Sequence, residues 1–134
     1  MKVRAKLERF TKMAHSVEDI DEPTMERIEA TIRGMDHDWS TTIGLTCGGN
    51  AMLISASNGH YAVMVNVDDG SDFFDLVGEP HDVGGVAFVH GGQPAEHPAR
   101  HVVAREMAVQ AAKAFVRGRD ASPSKDFLWE RQSV

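Results

Sequence analysis

Between residues 41 and 97 the chain has no lysine and no arginine, although the same stretch carries seven acids: Asp68, Asp69, Asp72, Asp75, Glu79, Asp82 and Glu96. The net charge of the whole chain is −6; residues 1–40 contribute −2 and residues 98–134 contribute +3. An acidic segment without cations repels a phosphate backbone and attracts basic surfaces. Direct nucleic-acid binding is therefore not expected, and a basic protein partner is. Cysteine is almost absent too: Cys47 stands alone, which excludes an intrachain disulfide and a cysteine-based zinc site. No apolar run approaches the roughly 20 residues that a membrane helix needs. The opening MKVRAKLERF lacks a signal-peptide core, so the expected location is cytoplasmic, away from the membrane. Gly48-Gly49 and Gly84-Gly85 have no GK[ST] after them and no basic residue nearby, which excludes a phosphate loop.

What is present is the pattern of a folded domain. With 134 residues, 42% hydrophobic and 25% charged, the chain is expected to form a single domain over residues 1–134 with one ordinary core. Residues 2–10 alternate Val3, Ala5 and Leu7 with charged residues, a period of two that predicts a first strand. His15 to Glu22 reads as a polar loop. Glu22 is the candidate cap of a helix beginning at Pro23, with Met25, Ile28 and Ile32 on one stripe and Gly34 as its stop. Short β segments follow at Thr42–Thr46, Ala51–Ala56, His60–Val67, Phe73–Val77 and Val83–His90, with a turn at Asp68–Asp72. Tight connections between consecutive strands predict an antiparallel meander.

The last third organises the rest. Val103, Met107, Ala111 and Phe115 recur at helical spacing, Gly118 and then Pro123 end the helix, and Phe127-Leu128-Trp129 suits a strand returning to a sheet. The fold class is thus α+β: a mostly antiparallel meander sheet, an N-terminal helix and a longer C-terminal helix packed on one face, and a short final strand.

The residues Ala108, Ala111, Ala112, Phe115, Gly118, Pro123, Trp129 and Glu130 give this segment a resemblance to the first-numbered family of immunity proteins in bacterial polymorphic toxin systems. Phe115, Gly118, Pro123, Trp129 and Glu130 are the structural part of that motif. The resemblance implies an α+β antitoxin without enzymatic activity or cofactor. Such a protein binds a cognate toxin, expected to be a nucleic-acid-targeting deaminase, and so protects the producing cell in bacterial competition.

Each constellation has a plainer reading beside the functional one. His81, His90, His97 and His101 invite a metal site, but their spacings of 9, 7 and 4 match no compact ligand motif, and surface or hydrogen-bonded histidines explain them better. Asp68-Asp69-Gly70-Ser71-Asp72 lacks the closing Glu of a calcium loop and reads as a hairpin turn. Cys47 reads as a buried thiol, and Trp129 as a core anchor before a partner contact. Under the immunity reading, Asp68, Asp69, Asp72, Asp75, Glu79 and Asp82 form the toxin-binding electrostatic surface, and Trp39, Tyr61, Phe73 and Phe74 are candidate anchors. The partner is then a basic toxin domain, with the chain itself a monomer or weak homodimer. Two alternatives remain: a small-ligand or metal-dependent enzyme using the His81–His97 segment, and a structural homo-oligomer joined through a sheet edge.

Overall fold

A computed structural model describes residues 3–11, 14–35, 40–67, 72–90, 92–118 and 127–132, without the side chain of His90. In chain order the elements are β1 (Arg4–Phe10), β2 (His15–Asp21), α1 (Met25–Gly34), β3 (Ser40–Cys47), β4 (Asn50–Ser57), β5 (His60–Val67) and β6 (Asp72–Val77). They continue with β7 (Gly85–His90), β8 (Gln93–Pro98), a 3-10 turn at Ala99–His101, α2 (Arg105–Gly118) and β9 (Leu128–Arg131). The architecture is α+β, as the sequence predicts.

Seven strands form one antiparallel sheet in the order β2-β1-β3-β4-β5-β6-β9. Its centre is a true meander. Ile43 pairs with Ile54 and Ile54 with Val63, so three apolar side chains stand abreast on one face. Both helices cover this face: Ile28 and Ile32 of α1 and Ala108, Ala111, Ala112 and Phe115 of α2 share one buried cluster with Ile43, Leu45, Ile54, Val63 and Val65. Alanines on α2 let its backbone come close to α1 and the sheet, which a bulkier stripe would prevent. The β4–β5 turn is Asn58-Gly59 with φ of 51° and 80°, the left-handed pair that a two-residue hairpin turn demands.

Three expectations are corrected. His15–Asp21 is a strand and not a loop, paired with β1 at seven successive positions; alternation of side chains along a polar edge carries almost no hydrophobic signal. The cap of α1 is Thr24 rather than Glu22: its hydroxyl accepts a hydrogen bond from Arg27 N at 3.1 Å. The segment after β6 does not continue the meander. Among the described residues β7 pairs only with β8, a strand that Pro94 and Pro98 conceal in the sequence, and the two form a separate hairpin.

That hairpin lies on the face opposite the helices. Ser40 and Ser57 alternate out of the helix-covered face, and both reach the backbone of one hairpin residue: Ser40 Oγ donates to Val89 O at 2.8 Å, and Val89 N donates to Ser57 Oγ at 3.0 Å. Phe88 is buried there, edge-on to His97 with ring centroids 4.7 Å apart. The sheet thus has a helical side and a hairpin side.

Candidate functional site

The acids singled out in the sequence do not form one surface. β6 separates them: Asp72 and Asp75 lie along it, while Glu79 and Asp82 follow its far end, and the strand spans roughly 17 Å from Asp72 to Val77. Asp68, Asp69 and Trp39 lie outside the described residues, as does Pro123 of the family motif.

The carboxylates on β6 and β9 are met by side chains from the last third of the chain. Arg131 binds Asp72 across the β6–β9 pair. Arg100 holds Glu130 with two hydrogen bonds of 2.8 Å, the planar fork that best fits a carboxylate. This fork is the main cause that lowers the Glu130 carboxyl to about 2, and it raises Arg100 in return. His101, buried at 9% exposure, places Nδ1 3.8 Å from Asp75 Oδ2 and Nε2 3.4 Å from Glu130 Oε1. Gln132 Nε2 adds a hydrogen bond to Asp75 at 3.1 Å. The 3-10 turn supplies this cluster because Gly78 N binds Arg100 O at 2.9 Å, pinning the turn to the end of β6.

On the hairpin side the balance is different. Glu79, Asp82 and Glu96 are exposed, and among the described residues no cation pairs with any of them. Asp82 N donates to Glu79 O at 3.1 Å, which folds the loop between β6 and β7. Glu96 reaches across the hairpin over Gly85, where any Cβ would collide with its side chain. The three carboxylates therefore belong to one region. Val83 stands among them at 91% exposure, the most exposed large apolar residue of those described. Neither Val83 nor the pairing of the β6 acids was foreseen; the opposed charges of residues 41–97 and 98–134 were the available signal.

Of the candidate aromatic anchors, Tyr61 is corrected. It is fully buried on the helix side, and its hydroxyl donates to Ile32 O at 2.9 Å, tying β5 to α1. A side chain with no accessible surface cannot meet a partner. Phe73 and Phe74 are half-buried and point to opposite faces of β6, Phe73 to the hairpin side and Phe74 to the helix side. Phe115 is in the core, Gly118 is the last residue of α2, and Trp129 packs against the core beside Phe127, ring centroids 6.4 Å apart.

His81, His97 and His101 are not brought together, and the side chain of His90 lies outside the described residues. His81 is exposed in the acidic loop, His97 meets Phe88, and His101 belongs to the Asp75–Glu130 cluster. No three His, Cys, Asp or Glu side chains among the described residues are placed to hold a metal ion. No described helix is long and apolar enough to cross a membrane.

The family model described as immunity protein Imm1 covers residues 7–130, from β1 into β9. A search of curated proteins returns no match.

Proposed function

The chain belongs to the Imm1 family of immunity proteins, and from that premise we propose that it neutralises a basic, nucleic-acid-targeting toxin by holding it against the hairpin side of the sheet. The carrying observation is the group of exposed carboxylates Glu79, Asp82 and Glu96, which no cation among the described residues pairs with, around the exposed Val83. Unpaired surface acids on a rigid hairpin speed the encounter with a cationic partner, and a single apolar side chain among them supplies a site that excludes water on contact. A toxin that approaches nucleic acid has to carry positive charge, so the surface that contacts substrate is also the surface this region attracts. Occlusion of that surface inhibits without any chemistry by the immunity protein. Phe73, half-buried and facing the hairpin side from β6, extends the contact. Deaminase is the proposed toxin activity and the cytoplasm the proposed place of action.

The test is capture of the partner from native cells at low salt, followed by an assay of the recovered domain on single-stranded nucleic acid. A one-to-one complex with a basic domain whose deaminase activity falls on titration with this protein is expected. An acidic partner, or inhibition untouched when Glu79, Asp82 and Glu96 are all changed to Lys, overturns the proposed surface.

A further inference from the structure

Edge strands leave backbone groups without a partner, and charged side chains, prolines and bulges are the ordinary protections. β2 and β9, the edges of the large sheet, carry ion-paired charges: Glu18 with Arg27 and Asp21 with Arg4 on the first, Arg131 with Asp72 and Glu130 with Arg100 on the second. The small hairpin has two further edges, and its register shows how they differ. Val89 N donates to Ser57 Oγ and Val89 O accepts from Ser40, so both groups point away from β8, where Pro94 stands opposite. Antiparallel pairs alternate in kind, so Ala87 opposite Glu96 and Gly85 opposite Pro98 also turn their backbone outward. On β8 the outward residues are then Pro94, Glu96 and Pro98, and two of these three have no N–H to offer. On β7 they are Gly85, Ala87 and Val89, and only Val89 is occupied. The N–H and C=O of Gly85 and Ala87 meet no partner among the described residues, and both residues are exposed. β7, with the sequence GVAFVH, has no proline, carboxylate, lysine or arginine, and its six successive pairs with β8 leave no bulge. This edge is open.

The surroundings of these open groups define what can join them. Glu96 pairs with Ala87 on the solvent face of the hairpin, and its side chain lies across Gly85, where a Cβ would overlap its carboxylate. The missing side chain at Gly85 thus lets a β8 carboxylate reach the β7 edge. Asp82, three residues before Gly85, and Glu79, bonded to it through the backbone, stand exposed in the loop that leads into the strand. No lysine or arginine occurs between residues 41 and 97, and the next cation, Arg100, has its fork on Glu130. The charge at this edge is therefore not spent on an internal pair among the described residues. A second copy of the hairpin laid on the first would bring the same three carboxylates together, which like-charge pairing penalises. An arginine or lysine next to Gly85 would instead meet Glu96.

We infer that the outer edge of β7 at Gly85–Ala87 accepts a short extended segment of the toxin, backbone to backbone, with a cationic side chain of that segment on Glu96. The occupant's identity rests on the immunity reading; the open edge does not, and the two are tested apart. The probe is a blocked pentapeptide alternating valine and arginine, with a valine–glutamate pentapeptide as control, each titrated into the full chain and followed by residue-resolved amide exchange. Slowed exchange is expected at the amides of Gly85 and Ala87, saturably and more strongly at low salt, and not at those of Val86 and Phe88, which already serve the ladder to β8. The control should slow none of them. Ala87→Pro removes one outward N–H, as Pro94 and Pro98 do on β8, and should weaken binding of the basic peptide by about tenfold. Gly85→Ala decides where the proline variant fails to fold: Gly85 is not at positive φ, so only the Glu96 side chain has to move. It should weaken binding by about threefold, and that loss should vanish in the Glu96→Gln background. No slowing at Gly85 and Ala87, slowing centred elsewhere, or undiminished binding by a folded Ala87→Pro protein overturns the inference. Toxin capture that Ala87→Pro leaves untouched removes the toxin from this edge with the immunity reading intact. Peptide binding at β7 by a protein that captures no toxin keeps the edge and overturns that reading of its occupant.

Discussion

The carboxylates of β6 and β9 and those of the β7–β8 region come from the same cation-poor part of the chain or its immediate partner strand, yet they have opposite fates. Asp72 and Glu130 pair with Arg131 and Arg100, and Asp75 faces His101 and Gln132, contacts that hold the last strand and the 3-10 turn to the sheet edge. Glu79, Asp82 and Glu96 meet no cation among the described residues and face water. Sequence distance from a lysine or arginine therefore says little about whether an acid is neutralised. What decides is the long-range arrangement: the β6–β9 pairing brings Arg131, and the 3-10 turn pinned to Gly78 brings Arg100 and His101, to one set and not to the other.

The strongest way to break this comparison is to reverse the unpaired set. Glu79→Lys, Asp82→Lys and Glu96→Lys together should reduce toxin affinity by about 100-fold at low salt, mostly through slower association, with the melting temperature nearly unchanged. Surface plasmon resonance across a salt series reads both parts. Next in size is the hold on the hairpin. Ser40→Ala with Ser57→Ala removes two hydrogen bonds to Val89 and should cost about 2 kcal/mol of unfolding free energy in denaturant titration. A smaller effect, confined to acid, is expected at the paired set. The Glu130 carboxyl is depressed from 4.5 to about 2, so its stabilising contribution is complete above 4.5 and disappears as pH falls toward 2. Glu130→Gln should therefore lower stability at neutral pH and flatten the loss of stability between those values, as followed by thermal melts from pH 6 to pH 2. Smallest is Asp72→Asn. Its partner Arg131 is 68% exposed, and such a pair contributes about 0.5 kcal/mol or less.

How much of this was legible beforehand depended on the type of signal. β5 is bounded at His60 and Val67 in both the sequence pattern and the structure, because one face of that strand is fully buried and the alternation is clean. α2 is equally plain from its alanine stripe and Gly118. β2 and β8 were invisible for a common reason: both are exposed, so neither needs the hydrophobic alternation by which strands are recognised, and β8 has prolines in addition. The acidic character of the site was readable from charge alone. Its division into a structural and a free part was not, since that follows from the long-range pairing of residues 72–77 with residues 128–131. Tyr61 was misplaced because an aromatic at the start of a strand looks the same whether it faces solvent or, as here, a helix carbonyl.

The separateness of the small hairpin has a consequence for how this protein can change. Among the described residues no ladder hydrogen bond joins β7 or β8 to the seven-stranded sheet; the link is made by two serine hydroxyls, the Phe88 contact and the bonds that anchor its flanks. Substitutions at the exposed positions between Glu79 and Glu96 consequently leave the register of the large sheet intact, whereas a shift of one residue in β4 or β5 would turn every core side chain outward. The fold thus divides its labour between a scaffold that tolerates little change and a cassette that tolerates much. Under the proposed mode of binding, exchange of one partner for another can proceed by rewriting a single hairpin.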